Sequence, residues 1–344
     1  MSASTFQVRR KTSQIGRLRN KMFSTKLYFW IVIIALSALT ATAQNGGESV
    51  YTFLKLPVSG NSAAMGGAAI ASGNLGANNI FANAAMIDST VNRYASVNYA
   101  DYIADINFGS AAYATKIDNL WSIAGGVLFM NYGTFDYADE AGVLGGTFSA
   151  NDCALYCAAI RQITKNFRAS ITTKTIFSHL ERYHSWGIAF DFGMVYTFPQ
   201  VGVVVSATSQ NVGFQCTPYT GSHREPLPLC IQVGASKLLE YAPLRFSVTL
   251  TELQSRLDED NATNLADHFV LGLELFPKST VSVKAGFNAQ RHNDLRMSNA
   301  SRAAGFSFGA DVRLRRFAVS YSRACYGAAA SINMFTVEAF LREW

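Results

Sequence analysis

The sequence predicts an all-β membrane fold, a 14-stranded antiparallel outer-membrane β-barrel closed around a small N-terminal plug or hatch segment. Three observations carry that expectation: an export signal opens the chain, apolar and polar residues alternate through most of the remainder, and short connections alternate with long ones.

Residues 1–43 read as a secretory signal. Seven basic residues (Arg9, Arg10, Lys11, Arg17, Arg19, Lys21, Lys26) precede the apolar run Leu27–Leu39 with no acid among them, and Ala41-Thr42-Ala43 supplies small residues for cleavage before Gln44. That run has 13 residues, short of the roughly 20 a helix needs to cross a bilayer, which speaks against a retained anchor. Met22 is an alternative start. The whole chain carries +6, but removing the seven leaves 22 Lys and Arg against 23 Asp and Glu, a net charge near −1. No basic stripe remains to hold nucleic acid.

Residues 44–93 form the expected plug. Tyr51–Ile87 is too apolar for a tether, too broken by Gly, Pro and Asn for one helix and too irregular for a strand. Gly66-Gly67 and their Ala-rich surroundings permit close backbone packing. We expect this segment to brace the barrel from the periplasmic side.

Residues 94–344 form the barrel. Alternation places segments near 94–100, 105–116, 121–132, 151–162, 167–178, 185–198, 201–210, 228–238, 243–254, 267–276, 279–290, 302–314, 315–323 and 331–342. Val281, Val283, Ala285 and Phe287 fall on one face, with Ser282, Lys284 and Asn288 on the other. The polar face is rich in Gly, Ser, Thr and isolated ions, which fits a tight lumen better than a water-facing surface. Connections after even-numbered segments are short, whereas Gly133–Ala150, Asn211–Leu227, Ser255–Ala266 and Arg291–Ser301 are long, the pattern of periplasmic turns and extracellular loops. Aromatic residues near segment ends, among them Tyr94, Trp121, Trp186, Phe276 and Trp344, suit interfacial girdles.

Little points to chemistry. The five cysteines are an odd number for an exported chain; Cys153 and Cys157 are too far apart along one strand to bridge and read as small wall residues, while Cys216 and Cys230 flank a Pro-containing loop, as a bridge or as two thiols. No metal-ligand spacing, cofactor motif or assembled nucleophile is present, so we expect no catalytic, cofactor or metal site. His179, His184, His223, His268 and His292 fall in or beside long loops. Asp191, Glu274 and Asp311 share the inward phase with Lys174, Arg245, Lys284 and Arg313; mutual neutralisation in a filled lumen is favoured over a charged pore. Asp88-Ser89-Thr90 matches a short O-glycosylation motif.

Some residues carry a specific resemblance. Phe53, Leu54, Pro57 and Ser59 in FLKLPVS, Gly66 and Gly67 in AAMGG, and YASVNYADYIAD from Tyr94 resemble the PorQ family, the outer-membrane barrel of the type IX secretion system in Bacteroidetes. Phe81-Ala82-Asn83-Ala84-Ala85 is similar to the F-x-N-P-A segment of FadL-like and PorV-like barrels, with Ala84 where Pro is usual; Gly60-Asn61 stands where Ala-Arg is expected. The resemblance implies a FadL-like barrel and a non-enzymatic role: an anchor in the attachment complex with PorU and PorV, docking a PorZ-like surface protein and helping join cargo to lipopolysaccharide. On that reading Phe135, Tyr137, Phe148, Tyr219 and His223, in the long loops, meet the partner, with outer-membrane lipid or lipopolysaccharide around the wall. The alternative is transport of a hydrophobic small molecule through the barrel wall, as FadL-like relatives do. A lipid-modifying enzyme is the third class, and no residue singles itself out for it.

Overall fold

The computed structural model describes residues 49–72, 76–88, 90–102, 106–138, 144–221, 223–254, 264–295, 303–327 and 330–341, all within one compact unit, Gln44–Trp344. The signal segment, residues 44–48, Ser89, residues 255–263 of the Ser255–Ala266 loop and Trp344 lie outside them.

The strands are β1 Tyr94–Asp101, β2 Asn107–Lys116, β3 Trp121–Ala138, β4 Leu144–Thr164, β5 Phe167–Leu180, β6 Tyr183–Phe198, β7 Val203–Thr217, β8 Cys230–Leu238, β9 Leu244–Leu250, β10 Phe269–Leu275, β11 Val281–Asn288, β12 Phe306–Arg313, β13 Phe317–Cys325 and β14 Ser331–Phe340. Each pairs antiparallel with its sequence neighbours, and β1 closes on β14 (Tyr94↔Phe340 to Asp101↔Asn333). Four short helices accompany them: α1 Gly60–Ala64, α2 Asn79–Ala82, α3 Asn264–Asp267 and α4 Ala289–Asp294.

The exterior is inside-out for water. Val97, Phe129, Leu155, Ile171, Phe192, Phe246, Leu271, Val283, Phe308, Val319 and Val337 are all more than 40% exposed, while alternate residues of the same strands are buried Ser, Thr, Asn and ions. An apolar belt around a closed ladder with no free edge is what spanning a bilayer demands. On β11, Val281, Val283 and Ala285 face outward and Ser282 and Lys284 inward, as the alternation predicts.

The lumen holds the plug, and the wall is shaped to receive it. Inward-facing Gly272, Gly286 and Gly309 form a trough for the end of α1. A Cβ on Gly286 would lie 2.2 Å from the Gly66 nitrogen, and one on Gly309 would lie 2.6 Å from the Ala64 Cβ. Gly66 itself takes φ +89, a conformation that favours glycine. The wall then ties the plug by hydrogen bonds: Gly60 N–H donates to Thr336 Oγ1 (2.9 Å), Ser206 Oγ to the Ile70 carbonyl (3.0 Å), Ser236 Oγ to that of Ala71 (2.8 Å) and Arg168 Nε to that of Ala85 (2.8 Å).

The plug runs the length of the barrel and does more than brace one end. Val50 N–H bonds the Pro226 carbonyl among the long connections, and Tyr51 OH meets Ser185, whereas the Ala85 carbonyl accepts from Arg168 beside the short β4–β5 turn.

Two expected loops are corrected. Gly133–Ala150 is mostly strand, since β3 and β4 continue to Ala138 and Leu144; Asn211–Leu227 begins as β7, which runs to Thr217. The β5–β6 link is also tight, a turn at Glu181-Arg182 with Glu181 at φ 55.

Candidate functional site

The inward ions close the lumen between the plug and one side of the wall. Lys284 bonds Asn61 of α1 and sits 2.5 Å from Asp311. Arg245 holds Glu274 at 2.7 Å, and Arg313 lies 3.3 Å from Asp311. Across the barrel Lys174 pairs with Asp191 at 2.8 Å and donates to Asn211 Oδ1 at 2.6 Å, with the Tyr156 ring 5.0 Å away. Each of these seven charges thus has an opposite partner, the arrangement buried ions require, while the inward Asp152 and Glu338 accept hydrogen bonds instead, from Tyr132 and Ser178 and from Tyr94 and Asn78. Such a cluster fastens; it does not conduct.

Beyond this knot, toward the long connections, lies a cavity of about 360 Å³. Plug residues Leu54, Leu56, Val58, Ile70 and Phe81 make an apolar side, while Gln210, Cys230, Gln232 and Thr251 from the upper ends of β7, β8 and β9 make a polar one. The rim is charged: Lys55 bridges Glu252 (2.7 Å), which also accepts from Gln290 Nε2 (3.2 Å). Arg291 of α4 stacks 4.2 Å over Tyr326, and its Nη1 is buried with no partner among the described residues. Burial, with Asp267 and Glu252 nearby, pushes the Asp294 carboxyl up. A chamber of this kind suits a small, mostly apolar molecule with one hydrogen-bond acceptor.

The wall beside the cavity is stitched differently from the rest. The β7–β8 ladder stops at Gln210↔Cys230 and the β8–β9 ladder at Val233↔Leu250. Past those points one backbone bond, Leu253 N–H to the Ile231 carbonyl (3.0 Å), and several side chains close the seam. Ile231 N–H donates to Gln254 Oε1 (2.9 Å), Gln254 Nε2 to the Leu229 carbonyl (2.7 Å) and Asn211 Nδ2 to that of Pro228 (3.0 Å). Asn211 sits at φ 62, where the β6–β7 register shifts between Phe190 and Phe192.

The loop residues expected to meet a partner are dispersed. Phe135 and Phe148 pair across β3 and β4 and stack at 5.3 Å. Because β2 pairs with β3 only as far as Asn131, and β5 with β4 only as far as Ala150, the five pairs beyond form a ribbon about 17 Å long with both edges free of strand partners among the described residues. The register shift between Asn131 and Thr134 puts Phe135, Tyr137 and Phe148 in the phase of the lumen-facing side chains. Tyr219 instead turns inward: its hydroxyl donates to Ser178 (2.5 Å), its ring packs near Tyr51, and burial pushes its pKa up to about 12. His223 is exposed. The plug motif residues are structural: Phe53, Leu54 and Pro57 are buried, Ser59 caps α1 by accepting from Ser62 N–H, Gly66 and Gly67 take positive φ, and Asn83 caps the turn Ala84–Met86.

All five cysteines are free thiols, Cys216 and Cys230 included. The cavity residues Gln210, Gln232 and Arg291 were not singled out by sequence. Amides at lumen-phase positions are a usable signal for the first two; Arg291, on a helix the alternation does not reveal, offers none.

No family model matches the sequence, and no curated protein is similar enough to count as a relative. Solved structures share the architecture. The Ralstonia pickettii toluene transporter TbuX superposes with a TM-score of 0.54 at 12% identity, covering 83% of this chain and 98% of that one. The CymD monoaromatic hydrocarbon channel gives 0.51 at 11% identity over 83% and 98%. A Pseudomonas aeruginosa FadL homologue gives 0.50 at 10% identity over 82% and 97%. At these identities the likeness establishes the FadL-like fold, a 14-stranded outer-membrane barrel.

Proposed function

We propose that this barrel binds a small hydrophobic molecule in the cavity above its plug and passes it toward the membrane through the wall. The observation that carries this reading is the chamber itself, about 360 Å³ and apolar on its plug side, lying against the seam between β7, β8 and β9 where the ladders stop and side chains supply most of the bonds. The similar structures described as toluene transporters and monoaromatic hydrocarbon channels support it. On this reading Arg291 Nη1 meets the π face of the ligand's ring, the acceptor a monoaromatic hydrocarbon offers, and no residue performs bond chemistry. The test is saturable binding of a monoaromatic probe by the detergent-solubilised barrel.

A second reading rests on a different observation, the β3–β4 ribbon. A two-stranded ribbon with open edges is marginal alone in water, and its stacked Phe135 and Phe148 beside Tyr137 make a surface for a protein partner. With the PorQ-family resemblance, this supports an anchor role in a type IX secretion attachment complex, docking a PorZ-like surface protein alongside PorU and PorV. Release of the surface protein on loss of the ribbon aromatics, with ligand binding intact, is the outcome that favours it.

A further inference from the structure

On the outside of the barrel, near the β5–β6 turn, two histidines do something their neighbours do not. His179 and His184 are directly paired across the hairpin, their rings stacked at 4.4 Å with an 18° interplanar angle and their Nδ1 atoms 3.0 Å apart. At that distance one Nδ1–H donates to the lone pair of the other, so the rings hold each other in place and each keeps its Nε2 for another partner. Just below them on the same outward face is a shallow groove of about 470 Å³ between Phe177 and Trp186, floored by Cys153 and Thr175. Phe177 is 47% and Trp186 39% exposed, although both are large and apolar.

The order along the wall is apolar groove, then imidazole pair. It runs from the apolar belt toward the rim at the long connections, the direction in which a bilayer passes from acyl chains to headgroups. A lone aromatic at the rim is explained by interfacial anchoring, but that does not call for a cross-strand imidazole pair at the head of a groove. A phosphate does: it accepts hydrogen bonds from imidazole N–H groups, and the bond is charge-assisted where the ring carries a proton on both nitrogens. We infer that this outer face is a binding site for a phosphorylated lipid of the surrounding leaflet, its phosphate on His179 and His184 and one acyl chain in the groove between Phe177 and Trp186. The site is separate from the lumen cavity and holds whichever role the barrel serves.

The test is retention of added lipid by the intact purified barrel in detergent, read by native mass spectrometry, with a dialkyl phosphate and an uncharged dialkylglycerol of equal chain length as probes. Wild type should retain the phosphate lipid about ten-fold better, the worth of one charge-assisted hydrogen bond, and H179Q/H184Q should remove that preference while the barrel stays heat-modifiable on a gel. Equal retention of the two lipids by wild type, or an unchanged preference in the double variant, overturns the site. Phe177→Ser leaves both imidazoles in place and so reads the groove even if the double variant misfolds: it should lower retention of both lipids, and unchanged retention contradicts the acyl-chain placement. Excess inorganic phosphate should not displace the lipid. If it does, the site recognises phosphate alone and the lipid assignment is wrong.

Discussion

Lys284 on β11 reaches across the lumen to Asn61 of the plug while lying 2.5 Å from Asp311 on β12, so one buried ammonium joins the wall's ion cluster to the segment that fills it. Lys284 and Asp311 are 3% and 2% exposed, which decides how removing one partner will act. Lys284→Met leaves Asp311 buried with its nearest cation gone, at a cost of about 3–5 kcal/mol. The temperature at which the folded band is lost on a gel should fall markedly and largely recover in Lys284→Met with Asp311→Leu. A single change without effect would show that the pair is not holding the structure.

The glycine trough makes a steric prediction. Gly286→Val places atoms where the Gly66 nitrogen stands, 2.2 Å from the nearest Cβ position. Backbone cannot yield as a flexible side chain does, so the plug must move. Limited trypsin should then cut at Lys55 faster than in wild type, where Lys55 is paired with Glu252, while the barrel remains folded. Equal protection in both proteins would mean that the wall does not seat the plug at this point.

Gln254 supplies two of the bonds that close the seam between β8 and β9. Gln254→Leu leaves the Ile231 N–H and the Leu229 carbonyl without the bonds they now have, a local cost of about 1–3 kcal/mol. Hydrogen exchange at Ile231 should quicken by roughly ten-fold or more, with amides in β12 and β13 unchanged. Exchange that stays slow would show the wall closed by other means.

The ribbon's aromatics can be removed without touching the ladder that closes the barrel. Phe135→Ser with Phe148→Ser, with or without Tyr137→Ser, should leave the barrel heat-modifiable, because neither pair extends to β2 or β5. A stacked pair is worth about 0.5–1.5 kcal/mol beyond its area, so the ribbon itself should loosen. Loss of a surface protein from cells carrying the variant would favour the docking reading; retention would exclude this ribbon as the docking point.

What sequence made legible was the part governed by a period of two. Val281, Val283 and Ala285 face outward and Lys284 inward because slipping one residue would put that ammonium in hydrocarbon, at about 2–4 kcal/mol mid-membrane. The pairing of inward ions followed from the cost of burying them alone. The ribbon was read as a loop because Gly133, Gly145 and Gly146 interrupt the period and the register shift after Asn131 reverses its phase. His179 and His184 looked like separate loop residues; only the register of β5 on β6 makes them a pair. The cavity is less legible still, because Leu54, Phe81, Gln232 and Arg291 are brought together by closure of the barrel around its plug and by nothing local.

If the cavity takes a small hydrophobic molecule, equilibrium dialysis of toluene against the detergent-solubilised protein will show it when wild type is compared with Leu56→Trp. Leu56 is half-buried and lines the chamber, so the larger ring should fill space the ligand needs. Saturable binding of about one toluene per barrel is expected in wild type, with Leu56→Trp binding at least ten-fold more weakly in a folded barrel. Toluene uptake that never rises above that of empty detergent micelles, or equal saturable binding by both proteins, would contradict it.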